Sequence, residues 1–258
     1  MPRLAANLGY LFADRPLLER FGAAAAAGFR IVELQFPYEQ PASAVRREIE
    51  RHQLAILGVN TPLGPEGEPG LAGVPGRERD FDALFHQALN YAAEIGANSI
   101  HCMSGEVPPE RWAESEKVFV ANIGRAADLA QEQGISILIE PINRRDRPNY
   151  LLHRPEQAAV IIAQVGRPNV RMQFDFYHIQ IGGGDLMMRF ARHREIIGHV
   201  QVAAVPSRAE PDEGEVNYQA IFDMLDRSNY AGFVGCEYRP RGRTEDGLSW
   251  AKPYGIGI

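Results

Sequence analysis

The stretch VRMQFD, residues 170–175, decides how this chain is read. It is an apolar run of strand length that ends on a carboxylate and continues into FYHIQ (176–180). Side chains alternate between the two faces of a strand. Asp175 therefore shares a face with Gln173, while Met172 and Phe174 point the other way. A carboxylate that closes an apolar strand is costly to desolvate unless donors or a cation meet it. Working outward, the pattern recurs. LAANLGY (4–10), RIVELQF (30–36), AILGVN (55–60), SIHCMS (99–104), ISILIE (135–140), IGHVQVA (197–203) and FVGCEY (233–238) bring the strand candidates to eight.

Helical patterns fill the intervals: 17–27, closing at Gly28, then 43–52, 81–95, 111–133, 155–165, 185–194 and 218–226. Pro109 suits a helix start and Gly134 a helix end. Strand–helix alternation implies parallel pairing. Eight such units in 258 residues predict a single-domain α/β protein, a (β/α)8 TIM barrel spanning residues 1–258. An open doubly wound sheet would place GxGxxG after the first strand, and that motif is absent there. Two connections are long and irregular. TPLGPEGEPGLAGVPGRER (61–79) follows a strand, so a barrel places it on the catalytic face, where we expect a lid. PSRAEPDEGEVN (206–217) falls on the same face.

The balance of 27 basic and 33 acidic residues, a formal charge of -6, argues against a nucleic-acid partner. Cys102 and Cys236 form no CxxC motif and read as buried free thiols. The N-terminal MPRLAANLGYLF lacks the layout of a signal peptide, and no apolar run approaches a membrane span. The expectation is a cytoplasmic protein with no membrane partner.

The fifth to eighth strand candidates all end in polar groups: Glu140, Asp175, Gln201 and Glu237. In a barrel these ends converge on one mouth. One acidic residue ending a strand often caps the next helix, but four at equivalent places point to a shared site. Three converging carboxylates must hold protons or share a cation. The all-oxygen set predicts Mg²⁺ or Mn²⁺ rather than zinc. Gln173 and His199 have the parity to brace the ligands from behind. His178 reads as a substrate contact or proton shuttle, or else as a surface histidine. His101 reads as a core histidine that could reach the mouth. Arg208 is placed to take a substrate carboxylate bidentately, or is a solvated loop residue.

Together with their neighbours these residues resemble a known family. IEPINRRD (139–146), MQFDFYHIQ (172–180), HVQVAAVPSR (199–208), EPDEGEVNY (210–218) and CEYRP (236–240) resemble hydroxypyruvate isomerase and 2-oxo-tetronate isomerase. These belong to the TIM-barrel sugar isomerase and epimerase superfamily, with the xylose isomerase-like proteins and endonuclease IV. The likeness runs from NLGYLF (7–12) through PGRERDF (75–81) to GLSWAKPY (247–254). It implies Glu140 and Glu237 as the acid/base pair and Glu140, Asp175, Gln201 and Glu237 as metal ligands. His178 and Arg208 would be the substrate contacts. In the related ketose 3-epimerases a histidine stands where this chain has Gln201. The glycine-rich IGGGDL (181–186) departs from the bulkier stretch the family has there.

The reaction implied is aldose–ketose isomerisation through an enediol, interconverting hydroxypyruvate and tartronate semialdehyde. The partner is then a small hydroxy or keto acid. Alternatives are a 2-oxo-tetronate isomerase, a ketose 3-epimerase, an endonuclease IV-like nuclease or a non-catalytic sugar-acid binding module. Family analogy suggests a homo-oligomer, although a single sequence exposes no interface.

Overall fold

The computed structural model describes residues 1–257. Among them, nine parallel strands form one sheet: β1 (Arg3–Asn7), β2 (Ile31–Glu33), β3 (Ala55–Ile56), β4 (Gly58–Asn60), β5 (Ser99–His101), β6 (Ser136–Ile139), β7 (Val170–Asp175), β8 (Ile197–Val202) and β9 (Phe233–Cys236). Their order is β3-β2-β1-β9-β8-β7-β6-β5-β4. The ninth strand arises because the third predicted strand is divided at Leu57. β3 pairs with β2, and β4 pairs with β5. Leu57 joins both sides: its N–H donates to Val32 O at 2.8 Å, and its carbonyl accepts Asn98 N–H at 3.1 Å. The two halves of one barrel strand thus close the ring, which is the expected (β/α)8 architecture.

The helices are α1 (Leu17–Ala26), α2 (Ala42–Arg51), α3 (Glu78–Ile95), α4 (Trp112–Glu132), α5 (Pro155–Val165), α6 (Phe176–Gly182), α7 (Leu186–His193) and α8 (Tyr218–Arg227). Each amphipathic helix lays its apolar residues on the outer face of the strands, as Phe81, Phe85, Ala88, Ala92 and Ile95 of α3 do. The short α6 was not expected. It starts directly after β7 because Asp175 caps it, accepting the Tyr177 N–H through Oδ1 at 2.9 Å. The glycine-rich turn after it is a backbone requirement. Gly183, Gly184 and Asp185 take φ of 147°, 66° and 55° to turn the chain into α7.

The connection expected to act as a lid is anchored along its second half. Leu71 and Ala72 are buried. Gly73 N–H donates to Ser104 O, and Asn122 Nδ2 donates to Ala72 O. The exposed part is the short turn around residues 63–67. The second irregular loop is tied down by Arg241, which pairs with Glu210, Asp212 and Glu213. Within it, Arg208 N–H donates to Ala204 O at 2.8 Å and the Arg208 backbone is left-handed, with φ 57°.

Inside the ring the upper layers are polar rather than aliphatic. Asn7, Glu33, His101, Gln173, His199 and Gln201 are all buried there. An all-apolar barrel would need no hydrogen-bond partners in this space. These side chains instead form the floor of the site.

A candidate metal and acid–base site at the barrel mouth

Glu140 follows β6, Asp175 ends β7, Glu237 follows β9 and His178 sits in the first turn of α6. These four buried residues each offer an atom able to bind a cation, all within 4.8 Å of one another. Buried carboxylates packed this closely resist ionisation. Burial, then Glu237 and Asp175, pushes Glu140 well above the usual carboxylate range. Burial and Glu237 push Asp175 up to about 7. Glu237 is also raised by burial, with Arg208 opposing and Glu33 adding to the shift. Asp175 answers to two demands at once. Oδ1 caps α6, while Oδ2 faces the mouth with no hydrogen-bond partner.

Glu237 is held from three sides. Gln35 Nε2 donates to Oε1 at 2.7 Å and Asn7 Nδ2 to the same oxygen at 3.2 Å. Arg208 Nη2 donates to Oε2 at 2.8 Å. The Arg208 guanidinium lies between two aromatic faces, 5.2 Å from the Tyr10 centroid and 4.8 Å from that of Tyr177. Burial works against its charge, but Glu237, Tyr10, Asp175 and Glu140 more than offset that and raise its proton affinity.

His178 has its tautomer set by its neighbours. Asn143 Oδ1 accepts the Asp146 N–H at 2.9 Å, which fixes the Asn143 amide. Its Nδ2 then lies 2.6 Å from His178 Nδ1, and the Asn143 N–H also approaches that nitrogen. With Nδ1 accepting, Nε2 carries the proton, 3.6 Å from Asp175 Oδ2 and 3.5 Å from Arg208 Nη2, and in this tautomer the carboxylates rather than the ring would hold a cation. Burial and Arg208 hold the ring well below the ordinary histidine range, so it is a neutral donor.

Gln173 and His199 lie one layer lower, two residues back along β7 and β8 from Asp175 and Gln201. Gln201 sits opposite Asp175 in the β7–β8 register, as His199 does to Gln173. Gln173 Nε2 donates to Gln201 Oε1 at 2.8 Å, and Gln201 Nε2 donates to Glu33 Oε1 at 2.8 Å. His199 Nε2 lies 2.6 Å from Glu33 Oε2. Burial opposes the Glu33 charge, but His199 and the amides of Gln201 and Asn7 outweigh it and hold Glu33 below the ordinary range.

The donor set fits a hard cation. Glu140 Oε1, Asp175 Oδ2 and both ring nitrogens of His101 are buried without hydrogen-bond partners. Buried polar atoms normally have partners, so the unpartnered oxygens of Glu140 and Asp175, two members of the cluster, mark a place for a ligand. His101 is the less suited of these donors: it is fully buried, 3.6 Å from Glu140, and burial and His199 lower its pKa to about 3. His101 is thus a buried histidine beside Glu140. Residues absent from the sequence reading are Glu33, Asn7, Gln35, Tyr10, Tyr177 and Asn143. The strand-end pattern that singled out Glu140 applied equally to Glu33, once β2 is seen to stop there.

Residues 21–254 match the family described as xylose isomerase-like TIM barrel. The chain belongs to that family. It is 46% identical to the 2-oxo-tetronate isomerase of Cupriavidus necator over 98% of this chain and 99% of that one. It is 38% identical to the hydroxypyruvate isomerase of Escherichia coli K12 over 98% and 100%. Relatives of this kind, aligned end to end, place the chain among isomerases. A crystal structure described as an AP endonuclease, family 2, from Brucella melitensis superposes with a TM-score of 0.96 at 43% identity, covering 99% of this chain and 100% of that one. Among the described residues, no helix is long and apolar enough to cross a membrane.

Proposed function

We propose that this chain is a metal-dependent aldose–ketose isomerase that interconverts hydroxypyruvate and tartronate semialdehyde. The observation that carries the proposal is the pair Glu140 and Glu237. Both are buried in one cluster, on strand ends separated by β7 and β8, with raised proton affinity. Glu140, Asp175, Gln201 and Glu237 would hold the ion, and Mg²⁺ or Mn²⁺ suits their oxygens. When bound, such an ion supplies a Lewis acid for the carbonyl and hydroxyl oxygens of the substrate.

In the proposed reaction one carbon-bound proton leaves C3 of hydroxypyruvate and one arrives at C2. The hydroxyl proton moves from the C3 to the C2 oxygen, so the atoms balance without an oxidant. Glu140 and Glu237 divide the work of base and acid. Gln35, Asn7 and Arg208 hold the Glu237 carboxylate in place for it. Arg208, with a planar fork of donors, takes the substrate carboxylate. His178 presents its Nε2–H to a substrate oxygen. The exposed turn around 63–67 is the part of the 61–79 connection that would close over the mouth. The mouth's single histidine donor and three carboxylates are poorly suited to a zinc nuclease.

A second substrate, 2-oxo-tetronate, is favoured by the 46% identity to the Cupriavidus necator enzyme. It carries the same carboxylate and one more carbon. Incubating Mn²⁺- or Mg²⁺-loaded protein with each acid in D₂O, followed by NMR, tests both. Product with deuterium on carbon supports the proposal and identifies the acid. Absence of product and of exchange with either acid overturns it.

A further inference from the structure

Glu33 is a buried carboxylate outside the cation-binding cluster, and no role has yet been given to it. Every oxygen it has is used. Asn7 Nδ2 and Gln201 Nε2 donate to Oε1 at 2.9 and 2.8 Å, and His199 Nε2 meets Oε2 at 2.6 Å. Among the described residues, His199 is its only ion-pair partner. The fold makes room for it. A Cβ at Gly235 of β9 would stand 2.6 and 2.8 Å from the two Glu33 oxygens, so the neighbouring strand is bare where this carboxylate lies.

A carboxylate only accepts hydrogen bonds. Two amides that share it must both turn their NH₂ groups toward it and their carbonyl oxygens away. For Gln201 this sends Oε1 toward β7, where Gln173 braces it. For Asn7 it leaves Nδ2 shared between Glu33 and Glu237 Oε1, with Oδ1 on the Gly9 N–H at 2.9 Å.

We infer that Glu33 is a positioning residue: it sets the amide orientation of Gln201 as an oxygen donor and, through Asn7, the place of Glu237. This rests on the metal reading proposed above. Groups that orient ligands from behind typically change metal affinity about 10–100-fold when altered. A carboxylate that merely fills the barrel would change stability alone.

The test is Mn²⁺ binding followed by electron paramagnetic resonance, beside a thermal melt, for the wild type and three variants. Glu33→Gln is isosteric, but it removes the charge and turns one accepting oxygen into an NH₂, which meets His199 on one side or the Asn7 and Gln201 amides on the other. It is expected to weaken Mn²⁺ about 10–100-fold while the melting temperature moves little. Glu33→Gln with Gln201→Glu lets residue 201 accept from the new amide and restores most of that affinity. Gln201→Glu alone sets two carboxylates face to face and gains none. Unchanged Mn²⁺ affinity in Glu33→Gln, or additive effects of the two substitutions, would overturn the inference while leaving the metal site standing. A wild type that binds no Mn²⁺ overturns the metal reading and this inference with it.

Discussion

Arg208 Nη2 stands 2.8 Å from Glu237 Oε2, with both side chains almost wholly removed from solvent. The proposed acid/base and the proposed carboxylate receptor are therefore one hydrogen-bonded unit. Replacing Arg208 by Lys keeps the charge but loses the planar fork and its stacking between Tyr10 and Tyr177. A charge-assisted hydrogen bond is worth about 1.5–3 kcal/mol, so kcat/KM for the acid substrate should fall on the order of 10–100-fold. Steady-state kinetics decide the matter, and an unaltered KM and kcat would exclude Arg208 from substrate binding.

Glu140 has no arginine or lysine partner among the described residues, and its ionisation is opposed by burial and two neighbouring carboxylates. Its folded-state proton affinity is raised. Its contribution to stability is therefore fully present below the unfolded carboxylate range and is lost as pH rises through the folded value. Glu140→Gln removes the group that suffers this loss. The metal-free variant should melt higher than the metal-free wild type at pH 8 and about equally at pH 4, while proton exchange into substrate is abolished. Differential scanning calorimetry in EDTA at the two pH values reads the sign directly.

Asp175, pushed up to about 7, ties cation binding to pH. A ligand carboxylate must be deprotonated to bind. Mn²⁺ should therefore release protons at pH 6 and fewer at pH 8, and its stabilising effect should grow over that range. Titration calorimetry in two buffers of different ionisation enthalpy measures the protons released. Equal release at both values would place the cation elsewhere.

Gly9 lies against the carboxamide that holds Glu237. A Cβ there would come within 2.6 Å of Gln35 Oε1, the far end of a flexible side chain. Gly9→Ala should therefore cost little stability but push Gln35 off Glu237. A drop in kcat with a melting temperature within a few degrees of wild type is expected. Full activity would mean that the Gln35 contact, 2.7 Å long here, does not matter for turnover.

The barrel was legible because every strand-and-helix unit buries its own apolar stripe, which the local sequence must record. Glu140, Asp175 and Glu237 were legible for the same reason, as carboxylates that end apolar runs. Other features depend on partners distant in sequence. RIVELQF reads as one strand to residue 36, yet ladder pairing stops at Glu33, which turns a mid-run glutamate into a strand end. Likewise Leu57 divides a strand only because the sheet closes on both sides of it. The stretch after Asp175, FYHIQIG, reads as the loop that follows the strand, and it becomes α6 because Asp175 caps it. Asn143 acquires its role only once the loop after β6 meets α6.

The register of β1 with β9, with Ala6 opposite Cys236, has a consequence for biosynthesis. Asn7 leaves the ribosome early and Glu237 late, and the hydrogen bond between them waits for both. A nascent chain that has made the earlier strands carries Glu140 and Asp175 without Glu237. Contacts of such high sequence separation form slowly. The acidic cluster thus needs the last strand of the chain, and synthesis stopped before β9 would leave Glu140 and Asp175 without Glu237.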